Sequence, residues 1–162
     1  MTHGRVTAVC VTRDLQSRTR VSTELTGINK AAVDQISLTP VGVRDDQVLD
    51  TNDHGGVDKA AYVYADEDAG WWSEELGIQI PPGRFGENLR VRAMPVSDAV
   101  IGERWQMGSD VVVEVSEPRV PCSTFQHHMD DRRGWGGRFP PIGRPHNSLR
   151  VPTHGCVQAR ET

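Results

Sequence analysis

The sequence predicts a mainly β single domain carrying one clear helix, on three observations. Short β-like runs recur along the chain: RVTAVCVT (5–12), AAVDQISLTPVGV (31–43), ENLRVRAMPV (87–96), SDVVVEVSEP (109–118), NSLRVP (147–152) and GCVQAR (155–160). Turn formers are spread between them, 16 Gly and 10 Pro in all, rather than gathered in one linker. Only DKAAYVYADEDAGWWSEELG (58–77) places Ala, Glu and Leu at helical spacing. Frequent short strands suggest a barrel or a sandwich more than a βαβ sheet, and 162 residues suit one domain with a real core.

The elements follow in order. The first strand is expected to set Val6, Ala8, Cys10 and Thr12 on one face. Asp66 or Asp68 is expected to cap the helix and Gly77 to stop it. Trp72 and Leu76, four apart, share a helix face that packs on the sheet, so the tryptophan pair reads as core and rim rather than a stacking platform. Pro118 and Pro121 stop regular pairing after VVVEV, which puts Cys122 at a strand end or in a rigid loop. No internal repeat or low-complexity segment is present.

Composition narrows the partners. A formal net charge of −4 and a pI near 5.8 give no overall basic footprint for nucleic acid. Arg132, Arg133, Arg138 and Arg144 do crowd into DDRRGWGGRFPPIGR (130–144), either a local basic patch or a solvated loop. The N-terminal stretch has no apolar run of signal-peptide or membrane-span length, so a cytoplasmic protein without a membrane partner is expected. Three cysteines, at 10, 122 and 156, form no C-x-x-C pair and support neither a zinc site nor a disulfide framework. Cys10 and Cys156 read as small structural residues.

Four stretches exceed what folding alone asks for. DTNDHGGVDKA (50–60) sets two Cβ-free backbone positions, Gly55 and Gly56, beside His54, with Lys59 close behind, and can present N–H groups to an anion. PPGRFGENLRV (81–91) leads through a tight turn to Asn88, whose amide can pair with a heterocycle edge; alternatively Glu87 and Asn88 cap the turn. SEPRVPCSTF (116–125) puts Arg119 three residues before Cys122, where a folded-back cation lowers a thiol pKa. GGRFPPIGRPHNSLRV (136–151) carries Arg138 and Arg144, as anion contacts or as a solvated loop.

Together and in this order these stretches resemble the MOSC domain, the C-terminal domain type of molybdenum cofactor sulfurases, in its YiiM-like bacterial branch. The match runs through TGINK (26–30), DHGGVDKAAYVYA (53–65), WW (71–72), PPGRFGENLRV (81–91), IGERWQMG (101–108), EVSEPRVPC (114–122) and RFPPIGRPHNSLRV (138–151). The resemblance implies a β-barrel of the pyruvate-kinase-barrel-like type with one or two peripheral helices. It implies one domain over 1–162, lacking the helical C-terminal domain of longer relatives and the pyridoxal-phosphate lyase domain of full-length sulfurases. It also implies a bound molybdenum cofactor (molybdopterin), with Cys122 as metal ligand and catalytic residue. His54, Gly55, Gly56, Lys59, Asn88, Arg119 and Arg144 are the implied cofactor-binding residues. A soft thiolate suits molybdenum already held by dithiolene sulfurs, and the cofactor carries the redox step. The implied activity is reduction of a small N-hydroxylated compound, of hydroxylaminopurine or amidoxime type, by oxygen abstraction at molybdenum, with electrons from a separate donor protein.

Ser148, where the family usually has an aromatic, and the CSTFQHHMDDRRGWGG loop with His127 and His128 depart from the family pattern. Two other functions are compatible with the residues. One is a cofactor or sulfur carrier without turnover; the other is a thiol enzyme with Cys122 as nucleophile and His54, His127 or His128 as base.

Overall fold

A computed structural model describes residues 4–12, 16–17, 25–47, 55–119 and 144–160. The strands are β1 (Arg5–Val11), β2 (Gln16–Ser17), β3 (Leu25–Thr26), β4 (Ala31–Val33), β5 (Gln35–Thr39) and β6 (Gly42–Val43), then β7 (Ala61–Ala65). Helix α1 (Asp66–Leu76) follows, and β8 (Leu89–Arg92), β9 (Arg104–Met107), β10 (Val111–Arg119), β11 (His146–Thr153) and β12 (Gly155–Gln158) complete the set. Single 3-10 turns lie at Val57–Lys59 and Val96–Asp98.

Seven strands form one sheet in the order β4-β1-β8-β7-β11-β10-β9, and β12-β5-β6 form a second of three. Pairing is antiparallel except between β7 and β8, which α1 connects as a parallel crossover. β5 and β12 lie against β1, β10 and β11, so the two sheets wrap one core in barrel fashion. That core takes Val6 and Val9 of β1, Ile36 and Leu38 of β5, Val63, Leu89 and Val91, Val113 and Val115, Leu149 and Val151, and Val157. The mainly β class with one peripheral helix is as the short alternating runs required.

Local expectations met different outcomes. Residues 61–65 are a strand, not the start of the helix, because AYVYA sits between β8 and β11 with Ala61, Val63 and Ala65 in the core. Helix α1 therefore starts at Asp66, with Ala65 as N-cap and no side-chain cap. Asp66 and Asp68 instead bind cations: Asp66 meets Arg90 and Arg92, and Asp68 meets Arg144. Gly77 stops the helix as expected, at φ 62°, with its N–H and that of Ile78 closing on Glu74 O and Ser73 O. Trp72 is fully buried in a second cluster with Tyr64, Ala69, Ile80, Phe85 and Ile28, while Trp71 and Leu76 pack against that cluster.

In β1 the register slips between Val6 and Ala8 against β8, so the single-face alternation fails. Val6 and Val9 enter the core; Ala8 and Cys10 are buried but belong to neither hydrophobic cluster. Pro118 does not stop pairing, for β10 continues through it opposite Asn147. β9 pairs only as far as Glu114, so the strand is open on that side where Pro118 contributes no donor.

Candidate functional site

The outer face of β7, β8, β10 and β11 carries the functional side chains. Each strand sends one set of alternate residues into the core and the other set outward. The outward set is Tyr62 and Tyr64, Asn88 and Arg90, Glu117 and Arg119, and His146, Ser148 and Arg150.

Just before β7, Gly55 and Gly56 both take positive φ (79° and 81°). Gly56, with ψ −176°, lies in a region only glycine populates readily. A Cβ placed on Gly56 meets none of the described residues within 4 Å, so among them the glycine relieves no clash. These residues line a cleft of about 390 Å³ together with Val57, Asp58, Lys59, Ser116, Glu117 and Arg150. Ser116 Oγ donates to Asp58 O, which fastens the 3-10 turn to β10. Lys59 Nζ pairs with Glu117 at 3.3 Å, and Arg150 Nε donates to Asp58 Oδ1 at 2.6 Å.

The PPGRFGEN turn is organised by its own carboxylate. Glu87, fully buried, accepts from Gly83 N–H (2.9 Å), Phe85 N–H (3.0 Å) and Arg90 Nε (2.8 Å). This is the turn-capping role open to Glu87 from its spacing. Asn88 joins two strands: its Oδ1 accepts from Tyr62 N–H (3.1 Å), and its Nδ2 donates to Cys10 O (3.2 Å) and Asp46 Oδ2 (2.7 Å). Asp46 also takes the Lys30 ammonium (2.9 and 2.6 Å) and Thr12 N–H (2.8 Å). Burial lowers the Lys30 pKa against the opposing pull of Asp46. Burial, aided by Glu87, raises the Cys10 thiol to about 12, which leaves it an inert protonated residue.

Arg119 ties the end of β10 to this turn and to β7. Its NH1 donates to Phe85 O at 3.1 Å and its guanidinium lies 4.4 Å from the Tyr62 ring centroid. No carboxylate among the described residues pairs with it. His146, opposite Arg119 in the ladder, stacks on Tyr64 at 4.4 Å and hydrogen-bonds the Phe85 backbone. Burial, then the Arg119 and Arg90 charges, hold its pKa well below the ordinary histidine value, so the imidazole is neutral at pH 7.

Of the residues expected from sequence, Gly55, Gly56 and Lys59 share the cleft, and Arg119 joins the turn that carries Asn88. Arg144 stands apart: it pairs with Asp68 at 2.6 Å and stacks 4.7 Å over Trp71. Its carbonyl accepts from Tyr64 Oη at 3.0 Å. Cys122, His54, His127, His128, Arg132, Arg133 and Arg138 lie outside the described residues. Cys156 is exposed, its Sγ 3.4 Å from Ser37 Oγ.

Sequence reasoning missed Arg150, Ser116, Lys30 and Asp46. Arg150 enters the cleft through the pairing of β11 with β7 on one side and β10 on the other, which local pattern does not reveal. Among the described residues no three His, Cys, Asp or Glu side chains gather to hold a metal ion. No helix among them is long and apolar enough to cross a membrane.

Comparison with known proteins places this geometry in context. The sequence profile of the MOSC domain matches residues 50–162. Protein YiiM of Escherichia coli is 32% identical over 108 residues, covering 64% of this chain and 47% of that protein. The uncharacterized protein YflK of Bacillus subtilis is 37% identical over 98 residues, covering 60% of this chain and 44% of that protein. The chain thus spans about half the length of these curated relatives. A Gibberella moniliformis protein named Reductase is 37% identical over 76 residues, 43% of this chain and 13% of that protein. The crystal structure of YiiM from Geobacillus stearothermophilus superposes with a TM-score of 0.76 at 22% identity, covering 98% of this chain and 73% of that one. That of YiiM from Escherichia coli gives 0.69 at 23% identity, covering 97% and 67%. At such identities these two structures speak for the fold alone.

Proposed function

This chain belongs to the MOSC domain family, and on that premise we propose that it binds the molybdenum cofactor and reduces small N-hydroxylated compounds. The observation that carries the reading is the cleft at Gly55 and Gly56, a bare backbone turn with Lys59 beside it. The donor set fits a cofactor that brings its own sulfur ligands: the described residues offer a polar cradle and two cations, not a metal cage. When bound, the molybdenum cofactor supplies two-electron redox chemistry.

The chain's own residues have separate tasks in this reading. Cys122 contributes the single protein thiolate to the metal. His54, Gly55, Gly56 and Lys59 surround the pterin and its phosphate. Arg119, with no carboxylate partner among the described residues, holds positive charge at the end of β10, three residues before Cys122. Asn88 acts through position, its amide tying Tyr62, Cys10 and Asp46 together beneath the site. Arg144 anchors the return of the chain onto α1 through Asp68 and Trp71. The overall change converts an N-hydroxyl group, two electrons and two protons into an N–H group and water, with a separate protein as electron donor. The Gibberella relative named Reductase supports the same direction of chemistry.

The test is metal and pterin analysis of full-length protein purified from a host that makes the cofactor. Near-stoichiometric molybdenum and pterin are expected, with the metal lost in Cys122→Ala. Full molybdenum in that variant would overturn the assignment. Loaded protein given a chemical reductant and benzamidoxime is expected to release benzamidine; binding without product would make the chain a carrier.

A further inference from the structure

Arg150 points into the cleft with an orientation set by three separate elements. Its Nε donates to Asp58 Oδ1 at 2.6 Å and its NH1 to Glu114 Oε1 at 2.9 Å. Glu114 is itself held by Arg104 Nε at 2.8 Å, and Asp58 by Ser116 through its carbonyl. Among the described residues the NH2 end of Arg150 makes no hydrogen bond. A guanidinium gripped on two of its edges keeps its remaining donors fixed in direction, which is how arginine recognises planar or tetrahedral oxyanions.

Lys59 also lines the cleft, and the Gly55–Gly56 turn lies beside both. Glu114, at 14%, keeps its hold on Arg150, whereas the other two carboxylates that balance these cations are exposed, Asp58 at 65% and Glu117 at 44%. They can turn to water when a stronger anion enters, because exposed ion pairs are weak. No described residue comes within 4 Å of a Cβ placed on Gly56, and its backbone conformation is glycine-only. Open volume over bare backbone, with two held cations in the same cleft, is the physical description of an oxyanion pocket.

We infer that Arg150 is a phosphate-binding residue: with Lys59 it holds a phosphate monoester over the Gly55–Gly56 turn. On the cofactor reading that phosphate is the terminal one of the molybdenum cofactor, and to that extent the inference rests on it. The same chemistry would serve a free phosphorylated small molecule.

The test titrates inorganic phosphate into full-length protein at low ionic strength, by calorimetry and by thermal shift. Arg150→Gln is expected to weaken phosphate about tenfold, the effect of one charge-assisted contact. Arg92→Gln, which removes an exposed cation paired with Asp66 outside the cleft, is expected to leave binding unchanged. Should Arg150→Gln fail to fold by circular dichroism, Arg150→Lys carries the comparison, keeping charge but losing the fork and binding at an intermediate level. Absence of phosphate binding in the parent, or equal weakening by Arg92→Gln, overturns the inference. Pterin analysis of Arg150→Gln from a cofactor-making host separates the two proposals. Arg150-dependent phosphate binding with no pterin in the parent leaves the pocket standing and removes the cofactor reading. Normal pterin in both proteins with unaltered phosphate binding does the reverse.

Discussion

Arg119 and Phe85 are joined by a 3.1 Å hydrogen bond from guanidinium to carbonyl, which fastens the end of β10 to the turn leading into β8. The contact is available because residue 86 is glycine: a Cβ there would lie 3.0 Å from Arg119 NH1 and 3.1 Å from Ile28 Cγ1. Backbone conformation and close approach together explain the turn's composition.

A graded glycine series follows from this. Gly77→Ala, at φ 62° with open space around it, is expected to cost about 1 kcal/mol in urea denaturation. Gly86→Ala, at φ 81°, adds the Arg119 and Ile28 contacts and is expected to cost roughly 2–3 kcal/mol. Gly83→Ala is expected to be the worst, since its Cβ would collide with the Lys30 carbonyl, and backbone cannot move aside cheaply. A reversed order would show that these glycines are not held by the contacts described.

Asn88→Asp is nearly isosteric and isolates charge from shape. It sets a carboxylate where the amide now lies 2.7 Å from Asp46 Oδ2, and is expected to destabilise the fold by about 3 kcal/mol at pH 7. Asp46→Asn in the same chain should recover part of that loss in a double-mutant cycle. Additive losses would mean that the two side chains do not share the buried network with Lys30.

Neutral, buried His146 gives a defined pH dependence. Its folded pKa is far below 6.5, so as pH falls below 6.5 the unfolded chain takes up a proton that the native state refuses. Stability therefore decreases on acidification, by about 1.4 kcal/mol from this group on reaching pH 5.5. Urea denaturation at pH 7.5 and 5.5 should show that difference shrinking by this amount in His146→Gln. An unchanged difference would place a charged imidazole in the native state.

Thiol reactivity should separate the two described cysteines. Cys156, exposed, is expected to react with iodoacetamide at pH 8 in the native protein, as peptide mass mapping would read. Cys10, buried with its pKa pushed up to about 12, is expected to react only after unfolding. Native labelling of Cys10 at the rate of Cys156 would contradict its placement among Glu87, Arg90, Lys30 and Asp46.

Much of the molecule was legible in local pattern. Alternating β-branched runs located β1, β5, β8, β10, β11 and β12, and Gly77 ended helix α1. The motifs at 53–65, 81–91 and 114–122 carried the family resemblance that the profile match over 50–162 bears out. Each of these signals is complete within about ten residues, the length over which propensity, turn chemistry and alternation act.

Tertiary structure decided what depends on register and on partners far along the chain. AYVYA became a strand because β8 and β11 flank it, overriding the helical residues beside it. A slip between Val6 and Ala8 turned Cys10 away from the hydrocarbon core, and the open side of β10 let Pro118 stay in the ladder. Arg150 reaches Asp58, 92 residues away, because β11 pairs with β7, setting Leu149 opposite Ala61 and the turn before β7 beside Arg150. Lys30, Asp46 and Asn88 likewise meet from three segments that no local pattern connects. The amino-acid order specified which stretches form strands and which turns bear unusual chemistry. Cross-strand register then chose which charges face one another, because a one-residue shift moves every side chain to the opposite face.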